Sequence, residues 1–199
     1  MERITGFDLI IVLALIAMFI VGYAQGVVRR LLGIAAIIFS LILAAQLRQP
    51  LGEYLATQWF TIRPQYSYMV AFGGVFTASA VALSLGIQLM YRPAPLFDRY
   101  PVLDEIVGGL LGVLEGFIIL IAILMILDPY YTLPAVKETV GAGEFRLLRT
   151  IHELLDPTLI VSVLRDAVIP AIFAVLGFLF PQDVRDAFAR AGGTLLARR

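Results

Sequence analysis

Glu115 is the residue of this chain whose type and position most invite chemistry. It follows Glu105 by ten residues and precedes Asp128 by thirteen, and no other charge stands between Glu105 and Asp128. At about 1.5 Å per helical residue, that places a carboxyl group close to the middle of an apolar segment. A charge at such depth costs about 2.5–3.5 kcal/mol even on insertion scales. The group must therefore be neutral or find a polar partner. It could serve as a proton or cation site, or it could be a protonated acid that ties helices together. The segments around it offer no obvious base. Ser40 and Ser79 fall at the same depth when counted from the helix ends, so the expected arrangement is a polar layer of Glu115, Ser40 and Ser79. Other chemistry is hard to assemble. The chain has no cysteine and a single histidine, His152, which excludes thiolate chemistry and paired-histidine metal sites within one chain. It contains no His-Glu-x-x-His, no Gly-x-Ser-x-Gly, no phosphate loop and no dinucleotide fingerprint. The expectation is a protein that is not an enzyme and holds no cofactor or metal. His152 reads as a solvated residue on the polar side of a tail helix.

The elements that must position Glu115 are transmembrane helices. Of the 199 residues, 60% are hydrophobic and only 15% charged, against about 25% charged in a soluble domain. Mean hydropathy is +0.92. Four segments are long enough to cross about 30 Å of hydrocarbon: Phe7 to about Tyr23, Val28 to about Gln46, Tyr66 to Tyr91, and Val102 to Leu127. The fold class is all-α integral membrane, a four-helix bundle over residues 1–128 followed by a helical, interfacial tail over 129–199. The first helix is expected to be retained, not cleaved as a signal peptide, because Asp8 opens it and the start is barely positive. Asp8 suits the capping and dipole chemistry of a helix start. The segment Leu51 to Phe60 reads as a short interfacial helix. Trp59, Tyr54, Tyr66, Tyr68, Tyr130 and Tyr131 read as headgroup-level anchors. Net charge is zero with no basic block, so nucleic acid is not an expected partner. The lipid bilayer is.

In the tail, Phe145, Leu147, Leu148, Ile151, Leu154 and Leu155 recur at helical spacing between Arg146, Arg149 and Glu153, the pattern of an amphipathic helix. Asp156-Pro157 stops it. Ile169 to Phe180 is too short to span. A tilted fifth span from Leu159 is disfavoured because it would immerse Arg165 and Asp166.

Glycines supply the second constellation. Gly108, Gly112 and Gly116 recur every fourth residue in the fourth span and stay on one face. Lipid does not drive helices together, so close backbone approach has to do it. Gly74, Ala78, Ala82 and Gly86 in the third span look like the matching row, and Gly22 and Gly26 close the first span with the same spacing. These rows read as packing seams within the chain or as a face for a second copy.

The sequence Gly22-Tyr23-x-x-Gly26-x-x-Arg29 after Asp8, followed by Asp104-x3-Gly108-x3-Gly112-x3-Gly116, resembles the two signatures of the colicin V production protein (CvpA) family over about Phe7 to Leu127. The resemblance implies a bacterial inner-membrane protein of four spans linked to toxin production and envelope stress. It also implies an acid where Arg30 stands, a base where Glu105 stands, and a lysine or arginine where Glu115 stands. From those reversals Arg30 and Glu105 are expected to approach one another, with Arg29 and Arg30 otherwise acting as headgroup anchors.

The function this supports is a non-enzymatic inner-membrane accessory protein for toxin production or export, or for envelope homeostasis. It would act by packing with itself or with another envelope membrane protein. The alternative is a small channel or transporter using Glu115 as a proton or cation site. Short-loop arginines, four against three, together with the periplasmic domains of related proteins, put both termini on the periplasmic side.

Overall fold

The computed structural model describes residues 6–58, 64–90, 101–131 and 145–182. Four long helices dominate: α1 (Gly6–Gln25), α2 (Val27–Gln58), α3 (Pro64–Met90) and α4 (Pro101–Tyr131). All four are long and apolar enough to cross a membrane. In hydrocarbon every backbone amide must be satisfied within its own segment, so helices are what such runs can form. The chain is a multi-pass membrane protein with no strand among the described residues.

Gly26 alone separates α1 from α2. Its φ of +74° is the only positive φ among the described residues, a conformation that costs any residue with a Cβ. The chain reverses direction there without a loop. The helix α2 does not stop near Gln46. It runs on through Pro50 to Gln58, so the segment expected as a separate interfacial helix is the last two turns of α2. Burial explains the continuation. Gly52 packs against the Tyr68 ring so closely that a Cβ would overlap it, and this contact holds α2 onto α3 beyond the proline. Trp59 and Phe60, and the Arg92–Arg99 connection, lie outside the described residues.

The helices pair as α1 with α4 and α2 with α3, and α2 also packs on α4. The buried core lies toward the end of the bundle where α4 finishes. Tyr66, Met69, Phe72, Leu124 and Met125 are all nearly inaccessible there. Tyr66, Tyr130 and Tyr131 belong to this core and are not headgroup anchors: the tail covers Tyr66 and Tyr131, and Tyr130 packs against Arg48 of α2, which donates to its hydroxyl at 3.1 Å. Tyr66 packs edge-on to Phe145 at 6.3 Å, and Tyr131 stacks against the His152 ring at 5.5 Å.

The tail folds back. Helix α5 (Arg146–Leu155) is amphipathic as the spacing predicts. After Thr158 the chain turns by 84° and continues as α6 (Leu159–Val163), a π-helical turn (Leu164–Val168) and α7 (Ile169–Leu176). Leu155, Val161, Leu164 and Ile169 from these elements, and Phe180 after them, are buried in the same core as the four spans. The bent pair is apolar enough to count as one broken span. Between it, α2 and α4 lies an apolar cavity of about 610 Å³.

Candidate functional site

The site begins at the α1–α2 turn. Asp104, in the first turn of α4, is buried and accepts the Val27 amide proton at 3.4 Å. This satisfies one of the amides left unpaired where α2 starts. The same carboxylate presses against Gly26, leaving no room for a side chain there. Asp104 therefore sets α4 in register with the α1–α2 turn.

From that point the glycine row of α4 descends along α1. A Cβ on Gly108 would stand 2.9 Å from the Gly26 backbone, and one on Gly112 would collide with the Met18 carbonyl. Gly116 is nearly as tight, with Leu15 at 2.9 Å, and Gly22 meets the backbone of Gly108 in return. The partner of the α4 row is thus α1. The row on α3, expected to match it, does not: Cβ atoms on Gly74 and Gly86 would meet nothing within 4 Å. The reason is topological. The tight Gly26 turn and the Asp104 cap bring α1 against α4, and α3 is held to α2 on the other side.

Glu115 follows one residue before Gly116 and faces α2. Its carboxylate forms a buried salt bridge with Arg30. Arg30 is 5% exposed and Glu115 9%. Gly33, one turn beyond Arg30, makes the space: a Cβ there would lie 3.0 Å from Glu115 Oε1. Glu115 is eleven residues beyond Asp104, about 16 Å along α4, whereas Arg30 is only about 4.5 Å beyond Val27 along α2. The arginine side chain spans much of the difference by pointing inward, away from the nearby membrane face.

Two expectations are corrected by this pair. Arg30 does not meet Glu105, which lies within hydrogen-bonding reach of Tyr23 instead. Nor does Glu115 share a layer with Ser40 and Ser79. The Ser40 hydroxyl is buried without a partner, and the Ser79 hydroxyl donates to its own helix at the Val75 carbonyl, 2.6 Å away. Counting depth from helix ends ignored the reach of an arginine. Of the sign reversals implied by the family resemblance, those at 30 and 115 face one another, as an exchanged ion pair would. Arg29 is half-buried and takes no part in it.

Asp8 reaches further than α1. Its buried carboxylate accepts the Ile160 amide proton at 3.4 Å, and so ties the start of α1 to the start of α6. Close to it in the fold is a cluster that sequence reasoning missed. His152 is 4% exposed, not solvated, and its Nε2 lies 3.1 Å from Asp128 Oδ1. Arg165 grips the same carboxylate with two donors at 2.6 and 2.8 Å, and reaches Asp156 at 2.7 Å. Asp128 comes from α4, His152 from α5, Asp156 from the corner after it and Arg165 from the π-helical turn, and only the fold-back of the tail brings them together. The charge at Arg165, which argued against its immersion, is neutralised by carboxylates from α4 and from the corner after α5.

This cluster holds the tail to the bundle. Replacing Asp128 by Ala removes two charge-assisted bonds and the His152 contact, and should weaken docking of the tail by about 2 kcal/mol. Limited trypsin digestion at Arg146 and Arg149 reads the effect. Cleavage at the wild-type rate would show that the cluster does not hold the tail.

The model of the colicin V production protein family matches residues 7–153. That range takes in the four spans, the Asp104-to-Gly116 row, Glu115, Asp128 and His152. No curated protein and no solved structure matches the chain. The glycine-seamed pair of α1 and α4, capped by Asp104 at the Gly26 turn, is thus a feature of a chain that belongs to the colicin V production protein family.

Proposed function

We propose that this protein is a non-enzymatic accessory component of the bacterial inner membrane that supports production or export of a colicin V-like toxin, or envelope homeostasis, by helix packing with itself or with another envelope protein. The observation that carries the reading is the Arg30–Glu115 pair. Glu115, the charge farthest along a span, is paired with Arg30, which suits a rigid scaffold better than a free cation site. The glycines of α4 are likewise consumed inside the chain. Gly74, Ala78 and Ala82 of α3 face outward, a row at four-residue spacing that permits close approach by another helix.

The termini are assigned to the periplasmic side and the α1–α2 turn to the cytoplasmic side. With Arg30 held in the pair, the arginine bias no longer favours this orientation, and the family resemblance carries it. The test of function is a deletion in a toxin-producing host, complemented with wild type or with Ala78→Leu. Secreted toxin should fall on deletion, return with wild type and return poorly with Ala78→Leu. Unchanged secretion and an intact envelope after deletion would overturn the proposal.

A further inference from the structure

The pairing of α1 with α4 and of α2 with α3 leaves α3 and α4 only sparsely in contact. A cleft of about 400 Å³ opens between them, and Glu115 lines it together with Thr77, Ser84 and Gln88. These three polar residues lie on one face of α3, at steps of seven and four. Gln88 is next to the end of the helix, and Thr77 is eleven residues deeper, about 16 Å. Thr77 and Glu115 are therefore at similar depth, one counted from the end of α3 and the other from the start of α4.

Hydroxyls in a membrane helix normally bond back to a carbonyl one turn earlier, as Ser79 does. Among the described residues Thr77, Ser84 and Gln88 have no hydrogen-bond partner. Leaving three such groups in hydrocarbon is costly. Beyond Thr77 the cleft ends against Phe76 and Ile119, and past them Phe72, Met69, Leu124 and Met125 fill the core.

We propose that the α3–α4 cleft is an aqueous vestibule, open at the membrane face of the α1–α2 turn and closed toward the other, that brings water to the Glu115 carboxylate while Arg30 holds its charge. The inference goes beyond the accessory role and does not depend on it. Water satisfies Thr77, Ser84 and Gln88 together, which an acyl chain cannot. Of the groups around Glu115, Arg30 and Ile37 come from α2, Leu15 and Met18 of α1 close the far side at Gly116, and α3 brings the uncharged polar row together with the apolar Phe76, Ala80, Val81 and Leu85. The ion pair is thereby exposed to one aqueous compartment while buried from the other.

The absence of cysteine makes the test direct. Single variants Thr77→Cys, Ser84→Cys and Gln88→Cys are placed in sealed vesicles of each orientation and treated with a charged, membrane-impermeant thiol reagent. Ala82→Cys, exposed on α3 but outside the cleft, is the control, and Ala24→Cys marks the α1–α2 face. Thiolate forms only where water reaches, so Ser84→Cys and Thr77→Cys should react at least about tenfold faster than Ala82→Cys. They should do so only from the side that labels Ala24→Cys; that side also reports the orientation of the chain. Where a variant fails to insert, Ala80→Cys on the cleft face replaces it. Rates no faster than Ala82→Cys would mean that lipid fills the cleft, and disulfides between two chains would mean that a second copy does. Either result overturns the proposal, as does equal labelling from both sides.

Discussion

Gly112→Leu should prevent the α1–α4 pair from forming. The new Cβ would enter the Met18 carbonyl, and the obstruction is backbone, which cannot rotate aside. Overpacking a core typically costs about 1–3 kcal/mol, and here the two helices must separate, taking the Asp104 cap with them. A loss of about 3 kcal/mol or more is expected, read as a fall in thermal stability and in monodisperse yield after extraction in mild detergent. Gly86→Leu is the matched control. It adds the same side chain to a glycine with open space around it and should stay within about 0.5 kcal/mol of wild type. Equal stability of the two variants would remove the argument that the α4 row is a close-contact seam with α1.

Arg30→Met should be nearly as damaging, for an electrostatic reason. Glu115 would remain buried beside Gly33 with no counter-charge. Removing one partner of a buried pair typically costs about 3–5 kcal/mol, whereas replacing both partners with apolar residues is often close to neutral. The double variant Arg30→Met/Glu115→Leu should therefore recover most of what the single change loses. The exchange Arg30→Glu/Glu115→Arg should recover part of it, limited by the shorter glutamate stem on α2. The measurement is a double-mutant cycle on unfolding in detergent. If the effects of the two single changes simply add, the pair is not the unit of stability.

Both predictions rest on contacts of unequal visibility in the sequence. The α4 glycine spacing marked a seam, but the regular row on α3 read as its match, and Gly22 and Gly26 of α1 showed only the same spacing. Periodicity shows which face of a helix is flat and is silent on which helix lies against it. Glu115 was legible as a buried acid because its depth follows from counting along a span. Arg30 was not legible as its partner, because it sits near a helix end where arginines usually meet headgroups. Its inward direction depends on Gly33 clearing the space.

His152 shows the same limit in the tail. Its spacing read as the polar, solvated side of an amphipathic helix, whereas it lies on the buried side of α5 with Leu155. The environment of that face was not predictable, since Asp128 and Arg165 come to it from segments 24 residues before and 13 after. The aromatic residues near the α4 end were misread for the same reason: a tyrosine beside a span end anchors to headgroups unless another element covers it, and here α5 covers Tyr131.

The sequence by itself determined that this is a membrane bundle, where its four spans begin, that the first closes at Gly26 and which residues are too polar for their depth. Those properties follow from local composition measured against the thickness of a bilayer. Only the tertiary structure decided that α1 rather than α3 closes the glycine seam, that Arg30 neutralises Glu115, and that the tail returns to bury His152. These depend on which helices are neighbours, and in lipid that choice is made by close packing and by pairing of polar groups across the bundle, not by hydrophobicity, which all four spans share.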